Sequence, residues 1–302
     1  MLVTFSNLGK STYGRLGNQM FQIASTIGIA CENGLSYCFP EWEYDQYFEN
    51  KLPQQVLNNL KIFNYTKSNF SSIILNNRVN WDLRGFFQSE KFFINQNELV
   101  RFYFKPNQQI EKYLNNKYGA ILNNKTCSVH VRRGDYTEQR FFFPPQSIEF
   151  YLSAMQKFDS DTHFLIFSDD LKWCKNNFSG SNIIFVENEK DIIDVFLMSK
   201  CKNHIISNSS FSWWGAWLNP NKNKIIICPE KWFGPAVSLN PSTYNDIYAS
   251  NFTKLQNPTE RKIEQSRLYI YSIFMYHNML HKLNNIKVFI LTIIFKLIKK
   301  QS

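Results

Sequence analysis

The residues best suited to chemistry lie in Thr126–Tyr136, which reads T-C-S-V-H-V-R-R-G-D-Y. Two guanidiniums, Arg132 and Arg133, stand beside Gly134 and the carboxylate of Asp135. A guanidinium is a permanent cation with a rigid fork of donors, and that fork matches phosphate oxygens. Cys127, Val129 and Val131 alternate with Ser128, His130 and Arg132, which is the period of a short strand. A strand over Thr126–Arg132 delivers the arginines to its C-terminal end, where open α/β sheets bind ligands. The chemistry this suits is the grip of a diphosphate, such as that of a sugar nucleotide. The same residues would also serve as a solvated surface turn, so the neighbouring segments decide.

Two further polar clusters sit at the ends of predicted strands. Ser168-Asp169-Asp170 follows Thr162–Phe167, and Ser207–Ser212 (S-N-S-S-F-S) closes the strand-like His204–Ser207. Carboxylates there can accept from a base or ribose, and donors at a helix start can meet an anion. Asp169-Asp170 alone would equally be a helix N-cap. Three clusters on one sheet edge single out a site more strongly than any one of them. Near the N-terminus, Gly14-Arg15-Leu16-Gly17-Asn18-Gln19 precedes an apolar helix that runs to about Cys31. Its glycines allow a tight turn and a close backbone approach, which suits an anion or polar ligand at the helix start. A plain tight turn fits those residues as well. Leu8–Thr12 resembles part of a P-loop, but Thr4 stands where the first Gly of that motif belongs.

Three other patterns are set aside. Asp159-Ser160-Asp161 has D-x-D spacing, yet it precedes a strand, on the side away from the other clusters. Arg133-Gly134-Asp135 spells an adhesion tripeptide, but in a strand-end setting. The five histidines form no metal-binding motif with an evident third ligand.

These clusters need elements to hold them. Strands at Thr126–Arg132, Thr162–Phe167, Asn182–Val186, His204–Ser207 and Lys224–Cys228 alternate with helices at Gln146–Phe158, Lys172–Asn177, Asp191–Cys201 and Phe211–Leu218. That alternation predicts a parallel, Rossmann-like sheet, with a weaker version in the first hundred or so residues. The chain has 302 residues, 44% of them hydrophobic, enough for about two domains. A net charge of +10 favours anionic partners. The six cysteines lack C-x-x-C spacing and read as reduced thiols in a cytosolic protein. Met1–Lys10 does not read as a signal peptide, and no run reaches the ~20 apolar residues a membrane span requires. Ile286–Lys300 is apolar with basic edges. It suits a helix in the interface of an anionic bilayer, or a last helix packed on the body.

In this setting the chain resembles a family. His130–Tyr136 (H-V-R-R-G-D-Y) is similar to the first signature of bacterial and animal α1,2-fucosyltransferases, glycosyltransferase family 11. Gly14–Ala24, Gly85–Phe93, Phe167–Lys175 and Ser207–Asn219 resemble its other signatures. Lys10–Tyr13 lengthens the first turn, and the tail after about Arg261 lies beyond the shared blocks. The resemblance implies an α/β, GT-B-like fold of two Rossmann-like domains with the active cleft between them. Residues 1–117 would face the acceptor and 118–260 would bind GDP-L-fucose; the resemblance says nothing of 261–302, whose basic-apolar composition alone suggests a membrane-associated tail. The implied reaction is metal-independent, inverting transfer of L-fucose from GDP-β-L-fucose to the 2-OH of a terminal β-galactose. No cofactor beyond the donor substrate is implied.

Carried over by position, Arg132 and Arg133 would contact the diphosphate, and His130, Asp169 and Asp170 would meet guanosine. Ser209, Ser210 and Phe211 would cap the phosphates, with Gly14, Arg15, Gly17 and Asn18 completing the donor site. Asp135 is the first choice for the acceptor's proton, or else it orients Arg133; Glu90 is the second choice. One rival is a fucosyltransferase of α1,6 linkage, against which the Trp-rich Phe211–Leu218 helix argues. The other is a basic binding protein for membrane or nucleic acid, though no nucleic-acid motif is present. The expected acceptor is a lipid-linked intermediate of surface-glycan (O-antigen or capsule) synthesis. The expected location is the cytoplasm, peripheral on the inner face of the bacterial plasma membrane.

Overall fold

The computed structural model describes residues 1–55, 58–238, 240–258 and 275. The expected interfacial helix at Ile286–Lys300 lies outside the described residues. No described helix is long and apolar enough to cross a membrane.

Two parallel sheets organise the chain. In the first half, β1 (Leu2–Thr4), α1 (Leu16–Glu32), β2 (Ser36–Tyr37), β3 (Lys61–Asn64) and β4 (Trp81–Arg84) give a four-stranded sheet in the order β2-β1-β4-β3. Helices α2 (Asn97–Tyr103) and α3 (Gln108–Leu122) lead to the second half. There β5 (Thr126–Val131), α4 (Gly134–Glu138), α5 (Ile148–Met155), β6 (His163–Ser168), α6 (Leu171–Asn177) and β7 (Ile183–Phe185) come first. They are followed by α7 (Asp191–Lys200), β8 (Asn203–Ile205), α8 (Ser210–Leu218), β9 (Ile226–Pro229) and β10 (Phe252–Leu255). The second sheet runs β10-β9-β8-β5-β6-β7, and every pairing is parallel. The architecture is α/β and GT-B-like: two parallel-sheet halves with a cleft between their C-terminal strand ends.

The central strand shows why the sheet is placed as it is. All six residues of β5 are buried, because a parallel strand with helices on both faces has no wet side. The alternation of its sequence separates two kinds of buried face. Cys127, Val129 and Val131 pack on the apolar side. On the other, the Ser128 hydroxyl lies 2.7 Å from His204 Nδ1, and His130 Nδ1 lies 2.9 Å from the Ser207 hydroxyl. Register pairs His130 with Phe167 and Val131 with Ser168, so the polar clusters after β5 and β6 end level.

Residue 117 lies inside α3, so a continuous helix carries the chain between halves. The Asn- and Ser-rich stretch at Asn58–Asn80 contains a strand, β3, whose residues are mostly exposed at the sheet edge. The halves also share one hydrophobic core. Phe21 of α1 lies 4.5 Å from Trp213 and 5.0 Å from Trp214 of α8, and Phe93 stacks on Trp214 at 5.7 Å. Both tryptophans are fully buried, and the Trp214 indole donates to the Gly17 carbonyl at 2.9 Å. Burying ring and donor together places the start of α1 against the start of α8.

Candidate active site

The N-termini of α1 and α8 meet at the cleft. A Cβ on Gly17 would stand 2.6 Å from the Phe211 amide nitrogen, so only glycine permits this approach. Asn18 bridges three elements, its Oδ1 accepting from the Ser210 hydroxyl and from Gln88 Nε2, each at 2.7 Å. Gly14 has φ +92°, in the left-handed region that favours glycine. Ser209 is the N-cap of α8, its hydroxyl accepting from the Phe211 amide. Two helix starts side by side concentrate amide N–H groups and the positive ends of two dipoles.

Arg132 completes this electropositive corner. Its guanidinium pairs with Asp135 and, through Nη1, with Asp169 Oδ2 at 2.6 Å. It also lies over the Tyr136 ring at 5.2 Å. Arg15 reaches the other Asp135 oxygen at 2.9 Å. A Cβ on Gly134 would fall 2.6 Å from Asp169 Oδ2, so a larger residue here would push that carboxylate aside. His130 is buried with its ring 5.2 Å from Phe211. Burial and then the nearby Arg132 charge push its pKa down to about 3, so the imidazole is neutral.

These groups line a cavity of about 970 Å³ between the halves. The structure brings Gly14, Arg15, Gly17, Asn18, His130, Arg132, Asp135, Asp169, Ser209, Ser210 and Phe211 to its wall. Arg133 and Asp170 are not on it. Arg133 donates from Nε to Asp170 Oδ2 at 3.1 Å and lies 4.2 Å over the Trp173 ring. Asp170 caps α6, accepting from the Trp173 amide at 3.1 Å. Arg133 and Asp170 thus brace each other beside the cavity and not on its wall. Glu90 is also elsewhere, its carboxylate accepting from the Ser250 amide and the Trp217 indole. Asp135 has both oxygens engaged by guanidiniums, an arrangement that orients Arg15 and Arg132. Asp159 and Asp161 pair with Lys125, away from the cavity.

A fourth polar cluster, this one acidic, lies outside the segments singled out from sequence. Glu189, Asp191 and Asp194 line the cavity after β7. Glu189 accepts from Tyr113, Lys117 and Tyr118; burial raises its pKa, but those bonds outweigh it and leave the value low. Asp191 accepts from the Tyr44 hydroxyl at 2.7 Å. Asp194 Oδ1 is buried without a hydrogen-bond partner among the described residues. Burial, then the charges of Glu189 and Asp191, push its carboxyl up to about 7. The available signal was an acidic run directly after a strand, the same placement as the other clusters.

A cleft at two sets of parallel strand ends, with an anion corner on one side and acceptor-only carboxylates beside it, is the layout of a glycosyltransferase. The chain belongs to glycosyl transferase family 11, whose model matches residues 10–253. It is 35% identical over 165 residues to the Escherichia coli O-antigen biosynthesis glycosyltransferase WbnK, covering 50% of this chain and 55% of that one. It is 29% identical to an Escherichia coli alpha-1,2-colitosyltransferase, covering 73% of this chain and 90% of the relative. Human galactoside alpha-(1,2)-fucosyltransferase 1 is 24% identical, with 68% and 63% covered. The chain thus spans about half the length of the first relative and most of the second.

Proposed function

We propose that the protein is an inverting α1,2-fucosyltransferase that moves L-fucose from GDP-β-L-fucose to the 2-OH of a terminal β-galactose. The observation that carries this is the meeting of two helix N-termini and Arg132 at one corner of the cavity. A diphosphate seated there has amide donors on two sides and a guanidinium held by Asp135 and Asp169. As the sugar–oxygen bond breaks, negative charge grows on the departing GDP, and these preorganised donors stabilise it. They supply that stabilisation without a metal. With the diphosphate at α8, the base extends over the ends of β5, β6 and β7. Neutral His130 and the acidic run then face it, and Asp194, with an unpartnered oxygen, accepts from the guanine N–H edge. The acceptor galactose enters from the first half.

Incubation with GDP-fucose and a β-galactoside in excess EDTA, with NMR of the product, is the test. Expected is an α1,2-fucoside; absence of transfer to every β-galactoside tried would sink the reading. The colitosyl relative supports a second donor reading, since colitose lacks a ring hydroxyl that fucose carries. Competition between fucosyl and colitosyl nucleotides distinguishes the two. We place the reaction in bacterial surface-glycan synthesis, at the cytosolic face of the membrane, with Ile286–Lys300 as a peripheral anchor. Deleting 286–302 should move the protein to the soluble fraction while transfer to soluble sugars persists; an unchanged distribution removes the anchor.

A further inference from the structure

The cavity walls differ in charge. The second-half wall carries Asp135, Asp169, Glu189, Asp191 and Asp194 against one arginine, Arg132. The first-half wall carries Arg15, Lys67 and Arg84 and no carboxylate. Arg15 leans across to Asp135 and Arg84 is paired with Asp82, so Lys67 is the wall cation of this side without a carboxylate partner among the described residues, with Arg84 beside it.

Both come off the C-terminal ends of adjacent parallel strands. Arg84 is the register partner of Asn64, and its carbonyl accepts from the Tyr65 amide at 2.7 Å. Its guanidinium is held from one end: Nη2 donates to buried Asp82 and, at 3.2 Å, to the Ser6 hydroxyl. Among the described residues Nε has no hydrogen-bond partner. Lys67 has no carboxylate partner among the described residues, its Nζ meeting only the Ser71 hydroxyl at 3.2 Å. The turn after Arg84 is strained. Phe87 has φ +51°, a region bulky residues rarely occupy. Its buried ring, stacked on Tyr65 at 5.1 Å, holds the turn in place. Strain of this kind persists where the surroundings fix a functional turn.

We propose that Lys67 and Arg84 form a subsite for an anionic group carried by the acceptor, a carboxylate or a phosphate. The proposal rests on the placement of the donor against the second-half wall. There the donor diphosphate is already met by two helix starts and by Arg132, itself paired with Asp135 and Asp169, so among the described residues this wall holds no further cation for a second anion. An anion on the acceptor is drawn to the other wall. Arg84 offers it a guanidinium whose orientation Asp82 and Ser6 fix, and Lys67 a point charge on a longer reach.

The test uses one galactoside in three forms: neutral, bearing a glucuronic acid, and bearing a short alkyl diphosphate. With wild-type protein, an acidic form should be favoured by about tenfold or more in kcat/KM. Lys67→Met and Arg84→Gln should each shrink that preference, chiefly through acceptor KM, and Lys67→Arg should retain it. Preference for the glucuronide identifies a sugar carboxylate, and preference for the diphosphate identifies the carrier linkage. Arg84→Gln strands the buried Asp82 charge; if that variant does not fold, Lys67→Met decides. Equal use of all three forms by wild type overturns the subsite. So does a variant that raises donor KM with the acceptor ratio untouched. Failure of wild type on all three forms brings down the fucosyltransferase reading, and the subsite with it.

Discussion

Replacing Asp194 by Asn tests the acidic side of the cleft. The rise of its carboxyl from 3.8 to about 7, at 1.36 kcal/mol per pH unit, opposes ionisation in the folded chain by about 4 kcal/mol. The folded chain therefore holds this proton more tightly than the unfolded chain between those two values. Wild-type stability falls as pH rises through that window and levels off above it. Asn carries no charge, so the variant should gain on wild type with pH. The gain should grow by about 2–3 kcal/mol between pH near 5 and pH near 8. Urea unfolding of both proteins at the two pH values measures it, and the other titrating groups cancel in the comparison. The same substitution should weaken GDP binding by about tenfold or more near pH 8, because an acceptor-only group has been exchanged for an amide. In wild type, N–H donors from the base favour the ionised carboxylate, so GDP binding near pH 7 should release protons and its heat should depend on the buffer. A stability difference equal at both pH values would refute the account of burial and repulsion. Unchanged GDP affinity would refute the assignment to the base.

Other substitutions separate groups that face the cavity from groups behind it. Arg132→Ala should lower kcat by about 10²–10³, the usual effect of losing a donor to developing charge. Arg133→Ala should lower kcat much less and act mainly on thermal stability, because that guanidinium meets Asp170 and Trp173; equal losses would void the distinction. Gly17→Ala drives a Cβ into the Phe211 backbone and should destabilise by about 1–3 kcal/mol with loss of donor binding, read by melting with and without GDP. Trp214→Ala opens a cavity between the halves and should remove about 3–5 kcal/mol of stability; a smaller loss in urea unfolding would mean the halves do not depend on the shared core.

Unlike its partly exposed edge strand β10, the inner strands of the second sheet (β5, β6, β8 and β9) were legible because they are largely buried and read as apolar runs. β3 and β4 were not: four residues each, with β3 on an exposed edge. Three of the strand-end clusters do meet at one cleft, as their positions implied. Adjacency in sequence could not say which arginine faces the cavity. Neighbours at the end of a strand point to opposite sides, so Arg132 enters the cleft while Arg133 turns to Trp173. Asp194 was hidden because acidic residues in a first helical turn are usually read as balancing the helix dipole. The pairing of Gly17 with Phe211 had no local signal, since it depends on tertiary packing of helices far apart in the chain.

That separation has a consequence for how the enzyme comes into being. The hydrogen bonds that join the two helix starts link residues 192 and 197 positions apart. Closing so long a loop carries a large entropic cost and comes late in folding. A chain emerging from the ribosome can complete its first sheet, but it has no diphosphate corner until α8 has been made and docked. On the proposed reading, donor binding therefore waits until α8 has docked on α1, and a donor nucleotide bound there would draw both halves toward the native state.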